Sequence, residues 1–407
     1  MRKLLAVVVL WIFAISCLAQ GAPQAHAPAK STVTGRVYCA DTGLPARFAT
    51  VQLHPDKLPE EIMPESRDIA AGIEKAMQGG ALTALTRIDG SFRMENVPPG
   101  IYYVIPQLAG YVSPLVGQLS MDEVLTLNEE KRKQIVSDLQ RVVVESGHPV
   151  NLELKLERGG ALSGQILYDD GTPAENVLTK LFLKQKNGTW KQVLVNKYRI
   201  GIVAGATDDR GHYRYSGLPA GEYGVMAELP TTQVSVIPGM SAASVQIHLN
   251  DELHLFSGNV FRLREMKGYT LALGEEQDGA DLVFPLNGLF KVSGYVVAGK
   301  DQHLVPTGNV DLLDPVDRAE LRSGFVAIDG SFSFDYVPAG DYLMHVTQAA
   351  DLDPSTKREI RDSAWDTYLA NAQRKHAHDY GDADLPLTVH EDTMEITLPV
   401  PEVPKKK

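Results

Sequence analysis

Cysteine is nearly absent: the 407 residues hold two, Cys17 and Cys39. Cys17 lies in an N-terminal stretch expected to be removed, so the surviving thiol has no partner and no intrachain disulfide staples the fold. Cys39 sits in an apolar alternation and is expected to be a packed core thiol. Basic clusters are equally scarce. Lys and Arg number 39 against 51 Asp and Glu, a formal charge of −12, and the longest basic block is Lys405-Lys406-Lys407. Nucleic acid needs a positive surface, so it is a poor partner for this chain. Tryptophan occurs only at Trp11, Trp190 and Trp365, which limits the aromatic platforms available to stack on sugars. Long apolar runs are missing too. The one candidate, residues 4–15, is too short to span a bilayer.

What is present is ordinary globular material. Apolar residues make up 44% and charged residues 22%, which excludes wholesale disorder, and the length implies several domains. Residues 1–19 have the layout of a secretory signal: the basic start Met1-Arg2-Lys3, the apolar run, then small residues. Cys17 and Ala19 at the −3 and −1 sites predict cleavage after Ala19, with a flexible exit over 20–30. Lipoprotein processing at Cys17 is the alternative, although Ala14 stands where leucine is usual. Either way the mature chain is expected outside the cytoplasm: secreted, periplasmic or on the cell surface.

One phrase is written three times: "IDGSFRMENVPPGIYYV", "DDRGHYRYSGLPAGEYGV" and "IDGSFSFDYVPAGDYLMHV". Aligned on Gly90, Gly211 and Gly330, the copies lie 121 and 119 residues apart and share an aromatic, a proline (Pro98, Pro219, Pro338), a second glycine and then Tyr102, Tyr223 and Tyr342. The first glycine supplies the positive φ of a tight hairpin turn, and the alternating aromatics that follow mark a strand with one buried face. Proline and the second glycine then break the strand and turn the chain. Each tyrosine stands where β-sandwiches place a tyrosine corner, whose hydroxyl bonds to upstream backbone, so structural duty is expected of all three.

Each phrase has an earlier partner that opens on a glycine ("TGRVYCADTGLPARFATVQL", "SGQILYDDGTPAENVLTKLFL", "SGYVVAGKDQHLVPTGNVDLL") and a closing strand ("VNLELKL", "DLVFPL", "MEITLPV"). Short strands punctuated by Gly and Pro, without βαβ alternation, predict small antiparallel sandwiches. Boundaries fall near 158 and 288, giving modules at 31–158, 159–288 and 289–400 and a tail at 401–407. The insertions predict helices at 64–77 (Ile69, Ile73, Met77 inward), at 120–145 (Ile135, Leu139, Val142 on one stripe) and from Asp353-Pro354 to about Lys375. An extra hairpin is expected about Asn187-Gly188 in the second module.

The order G-x-V, "DTGLPARFATVQL", "TRIDGSFRMENVPPGIYYV" resembles the carboxypeptidase regulatory-like domain, a transthyretin-like sandwich often grouped with carbohydrate-binding-like folds and the Cna-B-type repeats of surface proteins. The resemblance covers the sandwich portions of all three modules, with Arg210 replacing the turn aspartate in the second. Together with the helices read in the insertions, which it does not cover, it gives a mainly β chain of three tandem Ig-like or transthyretin-like antiparallel sandwiches with helical insertions. It also implies a non-catalytic accessory or adhesion module of secreted proteins.

The catalytic patterns fail in turn. "HEDTM" at 390–394 lacks a second His one turn on, "HLND" at 248–251 lacks a third ligand, and "GMSAA" at 239–243 lacks the glycine of a nucleophile elbow. No cofactor is called for. His376, His378, Asp379, Asp382 and Asp384 in "KHAHDYGDAD" are a candidate zinc or calcium group, against the plainer reading of a solvated loop. Trp190, with Tyr198, Lys191 and Asn187 close in sequence, is the candidate sugar platform, against packing on its own hairpin. The expectation is a non-enzymatic array serving as a binding or adhesion scaffold, with polysaccharide as partner. The alternative is an assembly partner of another envelope protein, and a cryptic hydrolase stands third.

Overall fold

The computed structural model describes residues 29–56, 81–113, 137, 139–193, 205–230, 252–355 and 375–403. The expected signal with Cys17, the helix at 64–77, most of that at 120–145, the helix after Pro354, Tyr198 and Trp365 lie outside them. Within them the regular structure is strand, apart from one 3-10 turn at Leu263–Glu265.

The first module comprises β1 (Ser31–Cys39), β2 (Thr50–Pro55), β3 (Leu82–Leu85), β4 (Ser91–Val97), β5 (Gly100–Gln107), β6 (Gln140–Val144) and β7 (Val150–Leu156). They form two sheets, ordered β4-β1-β7 and β3-β2-β5-β6. The second module has β8 (Gly160–Tyr168), β9 (Leu178–Lys184), β10 (Trp190–Val193), β11 (His212–Leu218), β12 (Gly221–Pro230) and β13 (Glu252–Phe256). Three short strands follow, β14 (Tyr269–Leu271), β15 (Glu276–Gln277) and β16 (Leu282–Phe284). Its smaller sheet is β11-β8 with β15 and β16, and its larger is β10-β9-β12-β13 with β14 also on β12. The third has β17 (Leu289–Ala298), β18 (Thr307–Leu313), β19 (Glu320–Phe325), β20 (Ser331–Pro338), β21 (Gly340–Leu352), β22 (His376–Asp379), β23 (Ala383–Val389) and β24 (Thr393–Val400). Its sheets are β20-β17-β24 and β19-β18-β21, with β22 and β23 both on β21. These are three tandem transthyretin-like or Ig-like sandwiches. The second and third belong to one compact unit, and the first module's strands form another.

The repeated residues have mechanical reasons. Gly90, Gly211 and Gly330 carry φ of 76°, 78° and 78°, the left-handed turn that closes onto the next strand. In the first and third copies Asp89 and Asp329 accept the amides of Ser91 and Ser331 at 3.0 and 3.1 Å. In the second copy Asp208 does this work from two residues earlier, accepting the amides of Arg210 and His212 at 2.9 and 2.8 Å, which frees position 210 to be arginine. The glycine that opens each module answers a different need. A Cβ on Gly35, Gly164 or Gly294 would collide with the carbonyl oxygen of Leu152, Ala280 or Ile396, all on chain that closes the same module. A bulge also recurs where the repeat strand meets the first strand, with Asn96, Gly217 and Tyr336 at φ of 60°, 75° and 60°.

Alternating inward residues fill each core: Val33, Val37, Phe92, Met94 and Tyr102 in the first module, with Cys39 buried beside them. Leu162, Ile166, Tyr213 and Val225 do so in the second, and Val292, Val296, Phe332 and Phe334 in the third. The closing strands of the last two modules run parallel to the first strand, β16 to β8 and β24 to β17.

Two expectations need correction. Gln140–Val144, read as the end of the 120–145 helix, is strand β6, paired antiparallel with β5. Three consecutive valines suit a strand, and bonding to β5 outweighs the helical periodicity inherited from the charged run before them. The hairpin at Asn187-Gly188 does form, Trp190 facing Lys184 across it. It has counterparts in β2–β3 and β18–β19, so it belongs to the common plan and is no addition.

Candidate functional site

The three repeat tyrosines share one geometry. Each hydroxyl donates to the carbonyl oxygen four residues upstream: Tyr102 to Pro98 at 2.8 Å, Tyr223 to Pro219 at 2.8 Å, Tyr342 to Pro338 at 2.7 Å. Burial raises the pKa of all three, that of Tyr223 to about 12. These phenols are neutral donors fastening the strand entry.

The third tyrosine has a second use. Chain 257–268 crosses the outside of the second module's larger sheet, with Met266 packed on Phe182, Met226 and Phe256. From this crossing Arg262 and Arg264 reach into the third module. Asp314 is 1% exposed, and its carboxylate takes Arg262 Nε at 3.1 Å and Arg264 Nη1 on the same oxygen. The other oxygen accepts the Val316 amide at 2.8 Å. Arg262 also donates to the Asp341 carbonyl at 3.1 Å, and its guanidinium lies 4.6 Å from the centre of the Tyr342 ring. One buried carboxylate, two arginines and one aromatic face thus fasten the second module to the third.

Beside this clamp a cleft of about 270 Å³ opens, with Lys180, His254, Phe256, Glu320 and Tyr342 among its walls. Next to its wall residues Lys180 and His254, strand register assembles a polar group. Glu228 on β12 faces His254 on β13, and Glu252 lies two residues before His254, on the same side of that strand. Lys180 Nζ, on β9, is 2.9 Å from Glu228 Oε1. His254 Nε2 is 3.7 Å from Glu228 Oε1 and 3.5 Å from Glu252 Oε2. Burial pushes the Glu228 carboxyl up, but His254, Glu252 and Lys180 outweigh it and hold the group well below the carboxylate range. For His254 burial works downward, and Glu228 and Glu252 win, raising it. Neither glutamate was singled out from sequence, nor was His254. The available signal was "ELHLF", where alternation puts Glu252 and His254 on one face, with a lone acid, Glu228, in the apolar "GVMAELP".

The residues named from sequence are placed as follows. Trp190 is half-buried against the Phe182–Met226–Phe256 cluster, with Lys184 Nζ 5.3 Å from its ring. Strand alternation turns Lys191 to the opposite face. Asn187 is used by the hairpin turn, its oxygen accepting the amide and hydroxyl of Thr189 at 3.1 and 2.7 Å. Of the acidic and histidine group, one pair stays together and two members take other partners. His376 pairs with Asp379 at 2.6 Å and His378 with Glu402 at 2.8 Å. Asp384 joins Arg318 at 2.9 Å and His345 at 2.6 Å, and Asp382 is exposed. The neighbouring Tyr380 completes a network the sequence did not reveal. Its hydroxyl donates to Asp351 at 2.7 Å, and His303 bridges Asp351 and Asp301 at 3.1 and 2.6 Å. These bonds raise the pKa of His303. The group is a charged brace between the turn after β17 and the ends of β21 and β22.

No protein-family model matches the chain, and no curated protein matches it. Among solved structures it is similar to the Bacillus anthracis TIE protein, at 13% identity and a TM-score of 0.20, over 92% of this chain and 51% of that one. The chain thus spans about half of that protein's length. It is similar to a streptococcal ancillary pilin at 11% identity and a TM-score of 0.26, over 92% and 100% of the two chains. It is also similar to GBS52, the minor pilin of Streptococcus agalactiae, at 17% identity and a TM-score of 0.25, over 63% and 94%. Scores this low superpose no long portion of the chain, and the fold assignment rests on the strand pairing above. No helix among the described residues is long and apolar enough to cross a membrane.

Proposed function

We propose that the chain is an exported, non-catalytic scaffold of carboxypeptidase regulatory-like modules, with boundaries near 158 and 288, that assembles with another protein of the cell envelope. The Asp314 clamp carries this reading. A carboxylate 1% exposed and shared by two arginines of the preceding module is a device for holding two sandwiches in one fixed pose. A fixed pose serves a body that presents surfaces to a partner. The test is site-specific photo-crosslinking in intact cells from exposed positions such as Phe48 and Val316, alongside turnover assays of the purified chain on peptide, ester and glycoside substrates. Recurrent crosslinks to one envelope protein and no turnover are expected. Crosslinks no richer than those of an unrelated exported protein, or turnover that survives repurification, refute the proposal.

A second reading, in which the scaffold holds polysaccharide, draws on Trp190: its ring is half-buried and has Lys184 beside it. Sugar C–H faces stack on indole while ammonium groups donate to hydroxyls, at about 1 kcal/mol per ring. Retention of wild type and Trp190→Ala is compared on insoluble glycans, and equal retention removes this residue from any such site.

A further inference from the structure

We infer that Glu228, Glu252 and His254 bind one divalent transition-metal ion of the zinc class, on the second module beside the cleft that His254 helps to line. Among the described residues this is the group of three whose ligand atoms all lie within 4.8 Å of one another. Two donors each about 2.0–2.1 Å from a tetrahedral zinc ion stand roughly 3.3–3.5 Å apart. The 3.5 Å from His254 Nε2 to Glu252 Oε2 matches that spacing, and the near oxygen of Glu228, Oε1, stands 3.7 Å from the same nitrogen. Both separations are too long for direct hydrogen bonds, which cluster near 2.9 Å.

A second, independent observation points to a ligand. Glu228 is 3% exposed, and its Oε2 is buried without a hydrogen-bond partner, as is His254 Nε2. Buried polar atoms are nearly always satisfied, and an ion is one of the few things that can satisfy a carboxylate and an imidazole at once. Lys180 does not fill the need. It holds Oε1 at 2.9 Å and so orients the carboxylate, as outer groups commonly do for metal ligands, while Oε2 stays unbonded. One imidazole with two carboxylates suits zinc better than calcium or magnesium, which take all-oxygen shells. The side chains of His254 and Glu252 remain 28% and 15% exposed, which leaves the ion a way in and room for water as a fourth ligand.

The test uses the full mature chain, stripped with chelator and titrated with Zn²⁺ against a chromogenic competitor. Wild type is compared with His254→Gln and Glu252→Gln, both outside the core, and with the pair His376→Gln/His378→Gln. One tight site per chain is expected in wild type and in the His376/His378 variant. It should weaken on the order of 100-fold in His254→Gln and in Glu252→Gln, since loss of outer partners alone costs 10–100-fold. Zn²⁺ should also raise the unfolding temperature of wild type and leave that of His254→Gln unchanged, a readout that separates ligation from misfolding. Absence of a one-to-one site overturns the inference. So does undiminished binding in His254→Gln, loss of the site in the His376/His378 variant, or displacement of Zn²⁺ by millimolar Ca²⁺.

Discussion

Replacing Asp314 with alanine is the most informative single perturbation of this molecule. The carboxylate is 1% exposed, Arg262 is 12% exposed in its side chain and Arg264 35%. Arg264 can swing into water when its partner goes, so its loss is small. Arg262 cannot, and it is left as a buried charge. Breaking one side of a buried pair costs about 3–5 kcal/mol. Arg262 keeps the Asp341 carbonyl and the Tyr342 ring, each contributing about 1 kcal/mol, which points to the lower end, about 3 kcal/mol. For a cooperative unit of this size about 1 kcal/mol moves the midpoint by about 2–4 °C. Calorimetry should therefore show the transition of the second and third modules fall by roughly 6–12 °C. Arg262→Met with Asp314→Leu replaces the pair by apolar volume and should recover most of the loss, because the desolvation cost vanishes with the charges. A shift in the single variant no larger than that of an exposed ion pair, or a double variant no better than the single, would refute the reasoning.

Gly294→Ala should destabilise the third module by about 2–4 kcal/mol, since the new Cβ meets the Ile396 carbonyl and β24 must move to admit it; an unchanged urea midpoint counts against the close approach. The corner tyrosines predict an alkaline limit. Tyr223 is pushed up to about 12 in the fold and titrates near 10 when unfolded. A folded pKa above the unfolded one means its contribution is complete below pH about 10 and is lost as pH climbs toward 12. Tyrosinate absorbance should thus lag in the native chain and jump on unfolding, and simultaneous titration of every tyrosine at the ordinary value would contradict the burial.

What could be read from sequence was what repeats locally. Gly90, Tyr102 and their copies stand out because turn, strand and corner each need their residue at a fixed offset, and three copies multiply the signal. The glycines at 35, 164 and 294 were visible as a pattern, but their reason was not. It lies in carbonyls more than a hundred residues away. The segment 140–144 has the periodicity of the charged run before it, a local cue, whereas the edge of β5 that captures it as a strand is not local. The Asp314 clamp and the Glu228–Glu252–His254 group escaped for the same cause. Each joins residues on separate strands or modules, and no spacing in the chain announces that Arg262 will meet Asp314. In "KHAHDYGDAD" histidines and acids crowd in sequence, and the fold keeps only His376 with Asp379 while sending His378 to Glu402 and Asp384 to Arg318.

The parallel seam between β17 and β24 has a mechanical meaning. The third module is entered at Leu289 and left at Val400, and the two strands bonded along that seam run in the same direction, from Val292 opposite Thr393 to Ala298 opposite Val400. Tension between entry and exit therefore pulls the strands along their length in opposite senses. Every bond in the seam bears load together, as in a lap joint, where an antiparallel seam pulled from one end would open one bond at a time. A load applied between Leu289 and Val400 is thus met by the third module in shear.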